Sequence, residues 1–191
     1  MIYIVRHGQT DWNVEGRNQG RTDIELNETG IKQAEETAKK LNGKKFDLAF
    51  SSPLKRAYKT AQIIWNGEII PDERLIERCN GKLEGKLKSE YEGLVNFADP
   101  NESRHGVESL ADFRRRITNF FDDILKNYPG KDILVVTHAG ISIYAKCYFE
   151  GEPEDGNYSK YKLKNCEVLE YENDLKHNKF YNGKKHCDEE R

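Results

Sequence analysis

Several features that define other protein classes are missing from this sequence. No apolar run reaches the roughly 18 residues of a membrane-spanning helix. The four cysteines are far apart and form no CxxC pair, so we expect reduced thiols and neither a disulfide framework nor a structural zinc site. The 31 lysines and arginines are offset by 33 acidic residues. The resulting net charge of −2 leaves no overall positive field for nucleic acid or an anionic membrane.

The chain also lacks internal repeats and low-complexity linkers. We therefore expect its 191 residues to form one domain. Aromatic residues make up 10% of the chain and the apolar positions are periodic, which excludes a disordered protein. The segment before Arg6 is too short for a signal peptide, and together with the scattered thiols it favours a cytoplasmic location.

Short β-branched segments alternate with amphipathic segments. The pattern predicts strands at residues 2–6, 46–50, 133–137, 168–171 and 179–181. It predicts a loop over 8–27 and helices over 29–41, from Pro53 to 66, from 110 to 124 and from 139 to 147. Pro53 is expected in a first helical turn, and Ile31 on the buried stripe of the first helix. This alternation predicts an α/β fold in three layers, with a mostly parallel central sheet and helices on both faces.

Two segments depart from the alternation. Residues 86–106 combine weak periodicity with Pro and Gly, and we interpret them as an insertion that covers a site. Residues 183–191 form a charged tail, whose His186-Cys187 pair lacks the spacing of a closed metal site. We therefore expect no bound metal.

Polar side chains follow three of the predicted strands. They are Arg6-His7, Ser51-Ser52 with Arg56 just beyond, and Thr137-His138. Ligands of parallel sheets bind outside the carboxyl ends of the strands. We therefore expect these residues, which are far apart in the sequence, to converge at one edge of the sheet.

The residue types at these strand ends suit phosphoryl transfer. An imidazole nitrogen of His7 can attack phosphorus, and the guanidinium groups of Arg6 and Arg56 match phosphoryl oxygens bidentately. Gly8 permits a close backbone approach and offers a carbonyl that fixes the His7 tautomer. A carboxyl group such as Glu77 can protonate a leaving group and then deprotonate water. Each residue alone is more often an ordinary surface or core residue, but together they form one consistent site.

Six motifs carry a resemblance to a known family. They are RHGQTDWN (6–13), RNQGRTDIELNETG (17–30), SSPLKRAYKTA (51–61), LIERCNGKLEG (75–85), ES (108–109) and VVTHAG (135–140). Together they resemble the histidine phosphatase superfamily, and more narrowly its phosphoglycerate-mutase-like branch, over residues 1 to about 172. The acid-phosphatase branch has an extended RHGxRxP motif, which Gln9-Thr10 does not match.

The resemblance implies a role for each residue of the strand ends. His7 is the nucleophile that becomes phosphorylated, and Glu77 is the acid/base carboxylate. Arg6, Arg56 and His138 surround the phosphoryl group. The fold implied is that of phosphoglycerate mutase.

Four further residues are assigned to substrate binding. Asn13 and Gln19 match polar residues that line the family's pocket, and Gly8 and Arg78 complete the set. The guanidinium groups take the place of a metal ion. The sequence thus predicts a metal-independent phosphatase without a cofactor, which acts on a small phosphorylated metabolite and binds neither nucleic acid nor a membrane.

Two other functions of the same fold stay open. Cofactor-dependent phosphoglycerate mutases resemble the chain, but their insertion after the acid is longer than the roughly 20 residues between Gly85 and Glu108. A non-catalytic phospho-ligand-binding scaffold usually lacks the nucleophile or the acid, and this chain has both. The oligomeric state is left open.

Two groups of basic residues need separate interpretation. Arg114-Arg115-Arg116 suggests nucleic-acid binding, but successive helical residues fan out by about 100° each, so we expect a solvated helix face. Four basic residues in or near the insertion form a possible second site for an acidic group of the substrate, with a solvated surface as the alternative. These are Lys82, Lys86, Lys88 and Arg104.

Overall fold

The computed structural model describes residues 1–174, which contain a five-stranded sheet. The strands are β1 (Ile2–Arg6), β2 (Leu48–Ser51), β3 (Ile70–Pro71), β4 (Ile133–Thr137) and β5 (Val168–Tyr171). Their order in the sheet is β3-β2-β4-β1-β5. Strand β5 runs antiparallel to β1, and the other neighbours are parallel. The predicted α/β fold with a mostly parallel sheet is confirmed.

The α-helices connect these strands and cover both faces of the sheet. They are α1 (Asp11–Glu15), α2 (Glu28–Lys40), α3 (Lys55–Ile64), α4 (Lys88–Tyr91), α5 (Leu110–Asn127) and α6 (Ala139–Glu150). Helix α5 begins at the N-cap Ser109, whose hydroxyl accepts the backbone N–H of Asp112.

Side chains alternate between the two faces along each central strand. In β1, Ile2 and Ile4 pack in the core beneath α5 and α6, whereas Tyr3 and Val5 pack in the core beneath α3. A strand that is buried on both faces has an apolar residue at every position, and this explains the continuous apolar runs of β1 and β4.

Within residues 1–174, no helix is long and apolar enough to span a membrane. Cys79, Cys147 and Cys166 are free thiols, as the sequence predicts, and Cys187 lies outside the described residues. This part of the chain also holds no cluster of three His, Cys, Asp or Glu side chains that fits a metal ion.

Helix α1 lies within residues 8–27, for which the sequence predicts a loop. Its start is fixed by a capping box in which the Thr10 hydroxyl accepts the backbone N–H of Asn13, and the Asn13 side chain accepts the Thr10 N–H. Its end is fixed by Gly16, whose φ of 72° is the left-handed conformation that glycine adopts without strain. No residue of α1 is buried, so the helix leaves no apolar periodicity in the sequence.

Three smaller expectations were wrong. Pro53 precedes α3, which begins at Lys55 with Leu54 as its N-cap. Ile31 is 36% exposed rather than buried. The two-residue strand β3 was missed because it is too short to show alternation.

Parts of the C-terminal prediction lie outside the described residues. These are the strand at 179–181, the charged tail at 183–191 and the His186-Cys187 pair. The segment 86–106 contains α4 and irregular backbone, and three of its residues, Lys88, Tyr91 and Phe97, line the cleft described below.

Candidate active site

The carboxyl ends of the central strands open into a cleft of about 540 Å³. Strand β1 ends at Arg6, which is in register with Thr137 at the end of β4. His7 continues this pairing by donating its backbone N–H to the Thr137 carbonyl at 2.8 Å. Arg6, His7, Arg56 and Glu77 all line the cleft, so the predicted convergence of distant residues occurs.

His7 is held in one orientation at the floor of the cleft. Its Nδ1 lies 2.7 Å from the carbonyl oxygen of Gly8, an acceptor that requires the proton on Nδ1 and leaves the lone pair on Nε2. Burial lowers the pKa of His7 well below its ordinary value, and the positive charges of Arg56 and Arg6 lower it further. His7 is therefore a neutral imidazole whose Nε2 carries the lone pair.

Two buried arginines line the cleft together with this imidazole. Arg6 donates from Nη1 to the carbonyl of Leu163 at 2.8 Å. Arg56 donates from Nη1 to Thr22 and from Nη2 to Gly20, at 2.9 and 2.8 Å. Burial lowers the pKa of Arg56 to about 10, with Arg6 acting in the same direction and Glu77 opposing it, so the guanidinium stays charged at neutral pH. Backbone carbonyls thus hold both cations in place without neutralising them.

His138 packs against His7 but is not itself among the residues that line the cleft. It is fully buried, and its ring centroid is 5.1 Å from that of His7. Its Nε2 lies 2.7 Å from the hydroxyl oxygen of Ser52, and its buried Nδ1 has no hydrogen-bond partner within residues 1–174. Burial, with the charges of Arg56 and Arg6 among its neighbours, lowers the pKa of His138 well below the ordinary value.

Backbone amides hold the Glu77 carboxylate at the cleft. Oε1 accepts the N–H of Arg78 at 2.8 Å, and Oε2 accepts the N–H of Gly140 at 2.9 Å. A Cβ atom at position 140 would lie 2.4 Å from Oε1, so only glycine lets the carboxylate approach the start of α6. The Glu77 carbonyl accepts from Arg116 at 3.1 Å and from Arg21 at 3.3 Å. Main chain and side chain of Glu77 are both fixed.

Three of the four predicted substrate-binding residues line the cleft, and the fourth does not. Asn13, Gln19 and Arg78 line the cleft. Gly8 does not line it, and its role is to orient His7 through its carbonyl. A Cβ atom on Gly8 would lie 2.4 Å from the Gly30 carbonyl, which explains why this position needs glycine.

The four basic residues of the insertion do not form a second anion site together, and the alternative of a solvated surface describes most of them. Of the four insertion residues, Lys88 lines the cleft, but it is 77% exposed and pairs with Glu92. Lys82 and Lys86 do not line the cleft, and Arg104 is bound to Glu102. Lys162 also lines the cleft, and within residues 1–174 its ammonium group has no hydrogen bond or ion pair; the sequence did not indicate it because it belongs to none of the motifs.

The arginine triplet of α5 is also not a uniform solvated face. Arg114 and Arg115 form exposed ion pairs with Glu152 and Asp112. Arg116 is mostly buried and binds Glu108 as well as the Glu77 carbonyl. Arg116 also donates to the Arg74 carbonyl, 42 residues away, so the sequence does not show that it supports the segment that carries Glu77.

Comparisons with known proteins identify the family. A model of the histidine phosphatase superfamily (branch 1) matches residues 2–182. The chain belongs to that superfamily. A putative phosphoserine phosphatase 2 of Hydrogenobacter thermophilus is 34% identical over 161 residues, which cover 78% of each chain. A metal-independent phosphoserine phosphatase of Arabidopsis thaliana is 35% identical over 73% of this chain and 64% of its own length.

Solved structures of the superfamily have the same fold. Phosphoserine phosphatase from Entamoeba histolytica, in complex with 3-phosphoglyceric acid, superposes with a TM-score of 0.74 at 33% identity, over 87% of each chain. The sequence-based assignment to this superfamily is confirmed. The three relatives described above are named phosphatases, and the chain is a phosphoric monoester hydrolase.

Proposed function

We propose that the chain hydrolyses a small phosphorylated metabolite in two steps through a phosphohistidine on His7. The observation that carries the proposal is the geometry of His7, because Nδ1 is tied to the Gly8 carbonyl and Nε2 is left as the free nitrogen between two fixed arginines. A neutral imidazole held in this way is prepared to attack phosphorus.

In the first step, the Nε2 lone pair of His7 forms a bond to phosphorus while the bond between phosphorus and the alcohol oxygen breaks. Glu77 delivers a proton to the departing oxygen. Arg6 and Arg56 stabilise the charge on the phosphoryl oxygens, as a metal ion does in many phosphoryl-transfer enzymes. His138 adds a hydrogen bond from Nδ1, the nitrogen that Ser52 does not contact.

In the second step, water attacks the phosphohistidine. Glu77 accepts a proton from the water, the bond between Nε2 and phosphorus breaks, and inorganic phosphate leaves. Glu77 thereby regains the proton that it gave up in the first step. Because each group returns to its starting state, the cycle needs no further reactant.

The substrate is a small phosphomonoester and the enzyme acts in the cytoplasm. The cleft volume of about 540 Å³ suits a metabolite-sized ligand. The relatives named for phosphoserine support a phosphorylated small acid as the starting point of a substrate search.

Trapping the covalent intermediate tests the proposal. Wild type incubated with a ³²P-labelled phosphomonoester and quenched in alkali should retain acid-labile label on His7, and should release phosphate at steady state. His7→Gln should do neither. With ³²P-labelled p-nitrophenyl phosphate, whose phenolate leaves without a proton, a Glu77→Gln variant should accumulate labelled protein, since only hydrolysis then depends on the acid/base group. Phosphate release by His7→Gln at the wild-type rate would exclude the covalent route.

The same assay separates a mutase from a phosphatase. With 3-phosphoglycerate as substrate, a phosphatase releases inorganic phosphate, whereas a mutase yields 2-phosphoglycerate. Isomerisation faster than phosphate release would make the chain a mutase with the same nucleophile.

A further inference from the structure

Four cationic side chains that the phosphoryl chemistry does not use line the cleft, and two of them, Arg17 and Lys88, are paired with Glu15 and Glu92. The other two are Lys162, which lies between α6 and β5, and Arg78, which follows Glu77. Within residues 1–174, Lys162 Nζ forms no hydrogen bond or ion pair, and Arg78 Nη2 is buried without a hydrogen-bond partner. Cations left without protein partners beside a substrate cleft are suited to bind an anionic ligand.

The backbone around Lys162 is anchored to the catalytic residues. Its neighbour Leu163 accepts a hydrogen bond from Arg6 Nη1 at 2.8 Å and donates its N–H to Ser142 at 3.3 Å. Asn165 donates from Nδ2 to the His7 carbonyl at 2.9 Å. The Cα of Lys162 therefore has a fixed position relative to the nucleophile, which is needed for a cation that selects substrates.

The ammonium group of Lys162 lies within electrostatic range of the reacting groups. The protein around it and the positive charge of Arg6 lower the pKa of Lys162, while Glu77 opposes them. Arg6 and Glu77 are the groups assigned to the phosphoryl oxygens and to the leaving alcohol. Lys162 therefore lines the same cleft as both of these groups and is close enough to feel their charges.

Arg78 is held more rigidly than Lys162. Its Nε donates to the Glu108 carbonyl and its Nη1 to the Phe97 carbonyl, both at 2.8 Å. The guanidinium also lies 5.5 Å from the centre of the Phe97 ring, and the side chain is only 8% exposed. Nη2 is the one guanidinium nitrogen of Arg78 that these contacts leave unpaired.

We propose that Lys162, supported by Arg78, forms a second anion subsite and that the substrate carries a carboxylate on its alcohol part. The proposal rests on the phosphatase function proposed above. One free ammonium and one free N–H match a singly charged carboxylate, whereas the doubly charged phosphoryl group has two arginines of its own. A substrate with only hydroxyl groups would leave the Lys162 charge without a partner.

Two substrate pairs test the carboxylate. O-Phosphoserine differs from O-phosphoethanolamine by a carboxylate, and 3-phosphoglycerate differs from glycerol 3-phosphate by a carboxylate in place of a hydroxymethyl group. Wild type should give the higher kcat/KM on the acid of each pair. Lys162→Met should lower kcat/KM on the acids by about 10- to 100-fold and leave the carboxylate-free partners unchanged.

Two further variants control for charge and for folding. Lys162→Arg keeps a cation and should retain the preference for the acids. Lys164→Met removes an exposed lysine two residues along the same segment, which does not line the cleft, and should have no effect on either pair. Equal melting temperatures of the three variants would show that the differences arise in the cleft.

Direct binding makes the test independent of turnover. In the inactive His7→Ala background, Lys162→Met should raise the dissociation constant of 3-phosphoglycerate by the same 10- to 100-fold, and not that of glycerol 3-phosphate. If wild type released phosphate from no ester, the phosphatase proposal would fail, and these titrations would still decide the subsite.

Three outcomes would overturn the carboxylate subsite. An equal loss on both members of each pair would place Lys162 at the phosphoryl group. No change in kinetics or binding would show that Lys162 contacts no ligand. A larger loss on 1,3-propanediol bisphosphate than on the acids would make the bound group a second phosphate.

Discussion

The Nε2 atom of His138 lies 2.7 Å from the hydroxyl oxygen of Ser52. The two residues follow neighbouring parallel strands, and the Ser52 N–H donates to the Val136 carbonyl at 3.0 Å. The Ser52 hydroxyl also accepts the N–H of Leu54 at 3.3 Å. We expect the Ser52 hydroxyl to donate to Nε2, which places the single proton of the neutral imidazole on Nδ1. This tautomer gives His138 the N–H that the proposed mechanism directs at the phosphoryl group.

We expect Ser52→Ala to lower kcat/KM by roughly 10- to 100-fold, because the His138 proton is then free to move to Nε2. The ¹⁵N chemical shifts of the His138 ring would report the change of tautomer directly. Ser51→Ala is the matched control, since Ser51 is equally buried but donates to the Ser52 carbonyl instead. A variant with the wild-type tautomer and a large loss of activity would contradict this role.

The two buried histidines should make the fold sensitive to acid. Their pKa values are depressed from 6.5, mainly by burial, so the unfolded chain binds two protons that the folded chain does not. The free energy of unfolding is thus fully maintained above pH 6.5 and falls below it, by up to ~1.4 kcal/mol per pH unit for each histidine. Urea titrations between pH 7 and 5 would measure this slope.

His7→Gln and His138→Gln should each lower the pH dependence of the unfolding free energy by up to ~1.4 kcal/mol per pH unit, which is the contribution of one proton. Carboxylates of the unfolded chain titrate near pH 4, so they contribute little in this window. Slopes that are identical in wild type and in both variants would show that the histidines are protonated in the folded protein.

Gly140→Ala should damage catalysis without unfolding the protein. The added methyl group would lie 2.4 Å from the Glu77 carboxylate and 3.1 Å from the Phe113 ring, so the carboxylate has to leave its place. We expect kcat to fall by at least roughly 10-fold, since a displaced acid/base group transfers protons poorly. Formation of the phosphohistidine and its hydrolysis should both slow in rapid-quench experiments. A wild-type kcat would show that Glu77 acts from another position.

Arg116→Met should lower kcat more than it raises KM, because Arg116 supports the acid/base residue and not the substrate. Loss of its contacts with Glu77 and Glu108 should cost about 1–3 kcal/mol of unfolding free energy and roughly 10- to 100-fold in kcat. Arg115→Met, which removes an exposed pair on the same helix, is the control and should change neither quantity. Equal kcat and KM values for the two variants would show that Arg116 does not support the acid/base residue.

The fold could be predicted where burial leaves a pattern in the sequence. Strands β1 and β4 are apolar at nearly every position, and α5 has a full buried stripe, so their existence and order follow from periodicity. Helix α1 and strand β3 were not predicted because neither shows a periodic apolar pattern. Helix α1 depends on its end caps, and β3 consists of two residues that pair with β2.

The site was predictable to the extent that sheet geometry brings strand ends together. Arg6, His7 and His138 follow paired strands, so their proximity is a consequence of parallel register. The groups that hold them could not be inferred. Arg6 is held by the backbone carbonyl of Leu163, 157 residues away. Because every residue has a backbone carbonyl, the sequence does not show which one binds Arg6. Lys162 owes its place in the cleft to the same segment.

Strand β1 lies between β4 and β5, the two strands that are farthest from it in the chain. During synthesis the segment that carries Arg6 and His7 therefore emerges before both of its neighbours in the sheet. A chain that ends before β4 carries these two residues without the Thr137 and Leu163 carbonyls that bind them. We therefore expect chains truncated there to contain the whole Arg6-His7-Gly8 motif and to lack phosphatase activity.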